Sequence, residues 1–248
     1  MNQEEWIHTA IYAGLFLILF TIGELLYHKL KLPAEITRKF VHMGTGVICL
    51  TFPFFLGSHW SVLVLTISFF AILLVSIKFN LLKSINSVDR KTGGSFIFPV
   101  VIYLTFWAYS IFGLGDMDAT GLDWKNTAIG REMFYGATVY YFLPILILSI
   151  SDPMAALIGK KWPVGKYKIF GCTKTFMGSA AFFLSALALS IIFMMPLATS
   201  PEYGMLIALC IAFSTTLVEA ICHRGIDNLL IPLTAVFVMV MFNENLQL

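Results

Sequence analysis

The chain has 248 residues and a formal net charge of +2; 58% of its residues are hydrophobic and only 12% are charged. Soluble domains carry roughly a quarter charged residues, so this composition excludes an ordinary soluble domain and indicates that a lipid bilayer solvates most of the surface. The net charge is too small to indicate a nucleic acid partner.

The cysteines and the N-terminus bear on the cellular compartment. The four cysteines show no metal-ligand spacing, which favours unpaired thiols in a reducing setting. The segment from Met1 to Trp6 contains two Glu and no Lys or Arg, unlike the positively charged start of a signal peptide. We therefore expect the first apolar stretch to be retained as a span.

Eight apolar stretches approach the roughly 20 residues that a helix needs to cross a bilayer. In chain order they are 8–28, 40–57, 60–78, 95–114, 134–151, 175–196, 204–221 and 228–243. The second is interrupted by Pro53 and by glycines, and the last is short. The pattern predicts an all-α polytopic membrane protein with about eight transmembrane helices, which form one transmembrane domain over residues 1–248.

The charged residues between the spans alternate along the chain. Most of the 16 Lys and Arg precede spans two, four, six and eight: Lys29, Lys31, Arg38 and Lys39; Lys78, Lys83, Arg90 and Lys91; Lys160, Lys161, Lys166, Lys168 and Lys174; and Arg224. The other segments are mainly acidic. Because cationic loops are retained on the cytoplasmic side, the pattern places these four segments in the cytoplasm and both termini on the opposite side.

Two polar clusters contain glycines near a helix start. Arg38 and His42 are four residues apart and share a helix face. Gly44 and Gly46 leave room for a close helix or ligand, although a positive anchor followed by a small-residue packing seam explains the same pattern. In the sequence DRKTGGS at 89–95, the glycines could present backbone N–H groups to an anion; an ordinary loop is the alternative.

The third cluster begins with Asp152 before Pro153. A residue before proline avoids helical dihedrals, and Asp is a preferred N-cap. We therefore expect Asp152 to end span five and to cap a short helix that closes at Gly159. An acidic group at a helix break near the membrane surface is costly unless it is used or paired.

The same cluster continues through five lysines to the start of span six. Thr173 or Thr175 is expected to cap this span, whose positive end faces the cytoplasm. Gly178 in its first turn leaves room for a phosphate near the backbone. An amide cradle, a lysine and a nearby carboxylate for Mg²⁺ are the parts that phosphoryl transfer needs. The alternative is a positive loop followed by a routine helix cap.

Two carboxylates lie inside apolar spans, where an acid usually has a partner. For Glu24 in span one, pairing with a lysine or with His28 is expected. For Glu219, at the cytoplasmic end of span seven, the candidate partners are Arg38, His42 or a metal ion.

The fourth cluster surrounds Glu219 and the start of span eight. Asp227 and Asn228 open that span after Gly225, and we expect the tight turn at Gly225 to bring them near Glu219. A plain N-cap also explains Asp227.

Taken together, the clusters resemble the phytol kinase and dolichol kinase family of membrane enzymes. The matching segments, in the family's order, are RKFVHMGTG at 38–46, SDPMAALIGKK at 151–161, KTFMGS at 174–179 and EAICHRGIDNLLIPL at 219–233. The resemblance implies a multi-span enzyme that phosphorylates a lipid alcohol (phytol, polyprenol, dolichol or diacylglycerol), typically with CTP, and that needs a divalent cation such as Mg²⁺.

With this resemblance we assign hypothetical roles to residues at the cytoplasmic rim. The catalytic residues are Asp152, which is also the candidate base, Lys174, Arg38 and His42. The nucleotide-binding residues are Lys160, Lys161, Thr173, Thr175, Gly178, Ser179 and Asn228. The metal ligands are Asp152, Glu219 and Asp227. The lipid substrate is expected to approach from within the bilayer and the nucleoside triphosphate from the cytoplasm; the oligomeric state stays open, a homo-oligomer included.

Two other functions remain as alternatives. The middle of the chain also resembles the CDP-diacylglycerol synthases, which share a stretch similar to KTFMGS, so a phosphatidate cytidylyltransferase is one of them. Phe176 and Met177 depart from that pattern, and the terminal Asp and Lys cluster of those synthases is missing. A transporter that carries ions on Glu24 and Glu219 is the other, although these acids lie near span ends rather than at the midplane typical of transporters.

Overall fold

The computed structural model describes residues 3–79, 81–86, 94–113, 128–169, 172–221 and 225–246. The chain divides into two compact units. One comprises Met1–Tyr103 with Arg224–Leu229, and the other comprises Leu104–His223 with Leu230–Leu248. A single catalytic domain over residues 1–248 stays a prediction.

The first unit is helical. Its elements are α1 (Gln3–His28), α2 (Ala34–Cys49), α3 (Phe52–Phe55), α4 (His59–Lys78), α5 (Lys83–Asn86) and most of α6 (Gly94–Ala108). Helix α1 packs against α2, α4 and α5, and α2 also packs against α5. Ser58 caps α4, because its side chain accepts a hydrogen bond from the Trp60 amide at 3.2 Å.

Glycines allow α1 and α2 to approach closely. A Cβ on Gly23 would lie 2.7 Å from Val41 Cγ2, and a Cβ on Gly44 would lie 2.7 Å from Leu19 Cδ1. Both distances are too short for a side chain, so each glycine makes room for an apolar group of the neighbouring helix. The interpretation of Gly44 as part of a small-residue packing seam is confirmed.

The half-buried carboxylate of Glu24 in α1 has the partner that the sequence predicts. Glu24 Oε2 lies 3.1 Å from His28 Nε2, and Glu24 Oε1 accepts a hydrogen bond from the Ser84 amide at 2.8 Å. Thr37 donates to the Ser84 carbonyl at 2.8 Å. These bonds fix the start of α5 against α1 and α2.

The second unit combines helices with one hairpin. After the end of α6 it contains a π-helical turn (Tyr109–Gly113), α7 (Ala128–Leu146), a second π-helical turn (Ile147–Ser151), α8 (Asp152–Lys161), β1 (Lys166–Ile169), β2 (Cys172–Thr175), α9 (Phe176–Leu197), α10 (Pro201–Ile221), most of α11 (Asp227–Met241) and a 3₁₀ turn (Asn243–Asn245). Helix α9 packs along α10 and α8.

Five helical segments among the described residues are long and apolar enough to cross a membrane: Gln3–His28, His59–Lys78, Gly136–Lys161, Phe176–Leu197 and Pro201–Ile221. They carry exposed apolar side chains such as Ile67, Leu184 and Phe213, which suit lipid contact. Phe96–Phe112 and Asp227–Met241 are shorter apolar helices. The fold is that of a mainly helical integral membrane protein, as the composition predicts; eight spans and the side of each terminus stay predictions.

The predicted second span is divided in the structure. Helix α2 ends at Cys49, and α3 begins at Phe52, with Pro53 in its first turn. Proline lacks a backbone N–H and fits the first turn of a helix better than its interior. The predicted range of 40–57 for one continuous helix was therefore wrong.

The prediction that Asp152 ends a span and caps a new helix was also wrong. Asp152 has helical dihedrals (φ −64°, ψ −46°), and the helical path continues from α7 through Ile147–Ser151 into α8. Helix α8 ends at Lys161 rather than at Gly159. Pro153 removes one N–H donor here, and the wider π-helical turn lets the helix pass this position.

The lysine-rich segment before α9 forms a hairpin rather than the expected loop. Strands β1 and β2 are antiparallel and pair Tyr167 with Lys174 and Lys168 with Thr173. Lys166 and Lys168 are exposed, whereas Tyr167 and Ile169 are half-buried. This alternation puts the lysines of β1 on one face and Tyr167 on the other.

Candidate functional site

A buried charge pair joins β2 to α10 in the second unit. The Nζ atom of Lys174 lies 2.5 Å from Glu219 Oε1, and Lys174 also donates to the backbone carbonyl of Glu219. The side chains are 19% and 7% exposed, respectively. The structure thus gives Glu219 a partner, Lys174, to which sequence reasoning had assigned only a catalytic role.

Two hydroxyl groups extend this charge pair. Ser179 Oγ lies 3.4 Å from Glu219 Oε2, and the Tyr167 hydroxyl lies 2.6 Å from Ser179 Oγ. Tyr167 and Lys174 are cross-strand neighbours, so both side chains reach α9 or α10 from the same face of the hairpin. The network holds the hairpin, and with it Lys174, in a defined position.

The junction of α8 and α9 consists of small residues around a helix cap. Thr175 accepts a hydrogen bond from the Gly178 amide at 3.1 Å, so the predicted N-cap of span six is confirmed. A Cβ on Gly178 would lie 2.9 Å from the Ala155 carbonyl oxygen, and a Cβ on Gly159 would lie 2.6 Å from Thr175 Oγ1. Gly178 is therefore needed for helix packing; its contact with a phosphate stays a prediction.

Exposed lysines flank this junction. Lys160 and Lys161 occupy the last turn of α8, where cations are favoured by the helix dipole. Lys161 Nζ lies 4.5 Å from the centroid of the Trp162 ring. Lys166 and Lys168 on β1 are exposed as well, and so is Thr173, the cross-strand neighbour of Lys168. Exposed lysines in one segment of the chain attract polyanions.

Three further predicted site residues line a pocket in the first unit. Arg38, His42 and Asn228 line it together with many apolar side chains, and its empty volume is about 720 Å³ including the part open to solvent. The His42 ring contacts the Phe98 ring edge-on, with 4.5 Å between centroids. Arg38 and His42 thus share a helix face, as predicted, and this face borders an apolar pocket.

Two nitrogen atoms of the Arg38 side chain differ in their environment. Its Nη2 lies 2.9 Å from Glu35 Oε1. Its Nε is buried and has no hydrogen-bond partner among the residues that the structure describes. Buried polar groups are normally hydrogen-bonded, so this donor is an exception within the part of the chain that the structure describes.

Hydrogen bonds at the start of α11 fix the position of Asn228. Its backbone N–H lies 3.1 Å from Asp227 Oδ1 and 3.2 Å from the Gly225 carbonyl oxygen. Gly225 has a φ of +91°, which glycine adopts without strain. The side chain of Asn228 is buried and reaches the pocket of the first unit.

The assignment of Asp152, Glu219 and Asp227 as metal ligands stays a prediction. Within the described part of the chain, no three His, Cys, Asp or Glu side chains gather closely enough to hold a metal ion, and Glu219 is engaged by Lys174. Asp152 is half-buried in the first turn of α8. Residues 89–93 of the predicted anion loop at 89–95 and residues 222–224 of the fourth cluster lie outside the described residues.

The chain is similar in sequence to a known kinase. No protein-family model matches the chain, and no solved structure matches it. The chain is 25% identical to phytol kinase from Synechocystis sp. over 228 residues, which cover 92% of this chain and 88% of that protein. It resembles phytol kinase over nearly its full length. The similarity supports a relationship with kinases of the phytol and polyprenol type.

Sequence reasoning missed Tyr167 and the apolar walls of the pocket. The alternation of Lys with Tyr and Ile over 166–169 was a strand signal. The pocket had no comparable signal, because an apolar residue such as Phe20 looks the same in a sequence whether it faces lipid, a neighbouring helix or a ligand.

Proposed function

We propose that this protein is an integral-membrane kinase that transfers the terminal phosphoryl group of a nucleoside triphosphate, with CTP as the first candidate, to a lipid alcohol. The similarity to phytol kinase over 92% of the chain carries this proposal. Two features support it: an apolar pocket with a few polar residues, as lipid substrates require, and a lysine-rich surface suited to a triphosphate.

The residues proposed to bind the nucleotide lie in the second unit. Lys160, Lys161 and Lys174 neutralise the phosphates, and the start of α9 with Thr173, Thr175, Gly178 and Ser179 contacts their oxygens. Lys174 is held by Glu219, so its ammonium group is fixed in position before the nucleotide binds. Fixed charges cost little reorganisation during the reaction, which makes them effective in phosphoryl transfer.

The residues proposed to bind the lipid alcohol are Arg38, His42 and Asn228. The lipid hydroxyl oxygen attacks the γ-phosphorus, the bond from this phosphorus to the β-γ bridging oxygen breaks, and the hydroxyl proton passes to a carboxylate, for which Asp152 is the candidate. The products are a lipid monophosphate and a nucleoside diphosphate.

The proposed reaction also requires a divalent cation. Mg²⁺ in such enzymes is commonly bound through one or two carboxylates together with phosphate oxygens, so a cluster of three acids is not required. The carboxylate oxygens of Asp152, Glu219 and Asp227 are of the type that Mg²⁺ prefers, and Asp152 is the first candidate. When bound, the ion would neutralise charge on the triphosphate. We further propose that the nucleotide binds from the cytoplasm, because lysine-rich segments are retained there.

The decisive experiment follows the label from the nucleotide into the lipid. Purified protein in nanodiscs is incubated with CTP, ATP, GTP or UTP labelled at the α- or γ-phosphate, and with phytol, a polyprenol, diacylglycerol or phosphatidate. A kinase transfers only the γ-label to an alcohol. Transfer of the α-label to phosphatidate would instead indicate a cytidylyltransferase, and no transfer to any lipid would refute both.

Variants then test the assigned residues. Asp152→Asn should reduce phosphorylation by at least about 100-fold, the usual scale for removing a group that acts on the transition state, while membrane insertion is retained. Glu244→Gln changes an exposed acid of the C-terminal 3₁₀ turn and serves as the control, with unchanged activity. Full activity of Asp152→Asn would remove Asp152 from the mechanism.

A further inference from the structure

We infer that the pocket of the first unit is the binding site for the hydrocarbon chain of a single-chain lipid alcohol, with the oxygen of the alcohol placed at Arg38. This inference rests on the proposed function and assigns its acceptor site.

One stripe of helix α2 forms the length of the pocket. Arg38, His42, Thr45 and Cys49 all line it, and their spacing of three and four residues puts them on one helix face. At 1.5 Å per residue, this face covers about 16 Å from Arg38 to Cys49. The pocket is therefore elongated along α2, which suits an extended hydrocarbon chain.

The opposite walls repeat the same pattern with larger apolar residues. Phe16 and Phe20 line the pocket from α1, and Leu65, Phe69 and Leu73 line it from α4. These five residues are buried among the helices of the unit rather than exposed on its outer surface. A chain inside the pocket is thus shielded by protein side chains, whereas bilayer lipids contact the outward-facing residues.

The two ends of the stripe on α2 differ in polarity. Arg38 lies in the first half of the helix and His42 at its middle, and both side chains can form hydrogen bonds. Cys49 is its last residue and lines the pocket together with Phe52, which follows in α3. A ligand with one polar end and one apolar tail matches this gradient in one orientation, with its oxygen toward Arg38.

The Arg38 guanidinium indicates what the polar end of the ligand must provide. Its Nη2 end is engaged by Glu35, and Arg38 lines the pocket. An alcohol or phosphate oxygen accepts a hydrogen bond from a guanidinium N–H, whereas an alkane offers no acceptor. The ligand is therefore an oxygen-bearing lipid.

The volume indicates a single chain. The 720 Å³ of empty space includes the solvent-open part, so it is an upper limit on the volume of a ligand that the pocket encloses. The two long acyl chains of a diacylglycerol exceed what such a pocket encloses. We therefore expect an isoprenoid or another linear alcohol rather than a diacylglycerol.

Photo-crosslinking tests the location without nucleotide and without a variant. A lipid alcohol that carries a diazirine in its chain is bound to the wild-type protein in nanodiscs, irradiated, and mapped by mass spectrometry. Crosslinks that concentrate on the pocket-lining residues of α1, α2 and α4, such as Phe16, Cys49 and Phe69, and that an excess of unlabelled alcohol removes would support the site. Crosslinks spread over exposed residues such as Ile67 and Leu184 would overturn it.

Equilibrium binding of a radiolabelled lipid alcohol tests size and polarity. Thr45→Phe fills the pocket and should weaken binding at least tenfold. Val47→Phe adds the same ring to an exposed position of α2 and should leave binding unchanged. Thermal unfolding of both variants checks that they are folded, and equal binding by both would overturn the inference.

Competition completes this test. An alkane of equal length and a diacylglycerol should each compete at least tenfold less well than the alcohol, and equal competition by either would overturn the corresponding part of the inference. The crosslinking, binding and competition experiments contain no nucleotide. The binding site and the kinase activity can therefore be refuted separately. Pocket binding without phosphate transfer from any nucleotide contradicts the kinase, whereas phosphate transfer with crosslinks outside the pocket contradicts the binding site.

Discussion

The pair formed by Lys174 and Glu219 allows a structural role to be separated from a chemical one. Glu219→Gln leaves an ammonium group without its counter-charge, and Lys174→Met leaves a carboxylate without one. The side chains are 19% and 7% exposed, so the pair behaves as largely buried. Removing one partner of a buried pair costs about 3–5 kcal/mol, and we expect the lower end because part of Lys174 meets solvent.

The expected loss can be measured as a shift in melting temperature. For a chain of this length, 1 kcal/mol corresponds to about 2–4 °C, so each single variant should melt about 6–12 °C below the wild type in the same detergent. The double variant, Lys174→Met with Glu219→Gln, removes both charges and retains most of the packing. It should therefore melt within about 4 °C of the wild type.

Kinase activity of the double variant then tests the chemical roles of Lys174 and Glu219 together. If the ammonium group neutralises the triphosphate, or the carboxylate binds Mg²⁺, activity should fall about 10²–10³-fold although the protein is stable. A double variant as unstable as the single ones would refute the ion-pair reasoning. A stable double variant with full activity would show that Lys174 acts only in the fold.

Three further predictions concern the junction of α8 and α9 and the metal. Gly159→Ala should cost about 1–3 kcal/mol, because its Cβ would lie 2.6 Å from Thr175 Oγ1; Gly14→Ala, with no neighbour within 4 Å, should be neutral or slightly stabilising in the same melting assay. Thr175→Val should lose about 1 kcal/mol with the helix cap, whereas Thr175→Ser should keep it; equal losses would contradict the cap. Addition of EDTA should abolish phosphate transfer and excess Mg²⁺ should restore it; activity in EDTA would remove the cation from the proposal.

Some features were predictable because their causes are local. The Thr175 cap requires only a hydroxyl residue three positions before an amide. The contact of Glu24 with His28 requires only their spacing of four residues on a helix. The membrane class followed from composition, because apolar side chains in such excess need a bilayer.

Local rules failed where packing overrides them. A residue before proline usually leaves the helix, yet Asp152 stays helical because the turn at Ile147–Ser151 widens to a π-helix, and the surrounding residues are buried. The hairpin at 166–175 was missed because the many lysines of this segment fit a cytoplasmic loop equally well.

The sequence by itself determined that the chain belongs in a membrane, where most of its long helices run, and that its polar residues gather in a few short segments. These properties depend on hydrophobicity and on spacings of three or four residues. Only the tertiary structure decided that Lys174 pairs with Glu219, 45 residues away in the chain, and that Arg38 and His42 border an apolar pocket. Contacts between distant segments depend on how whole helices pack, and no short pattern in the sequence encodes that.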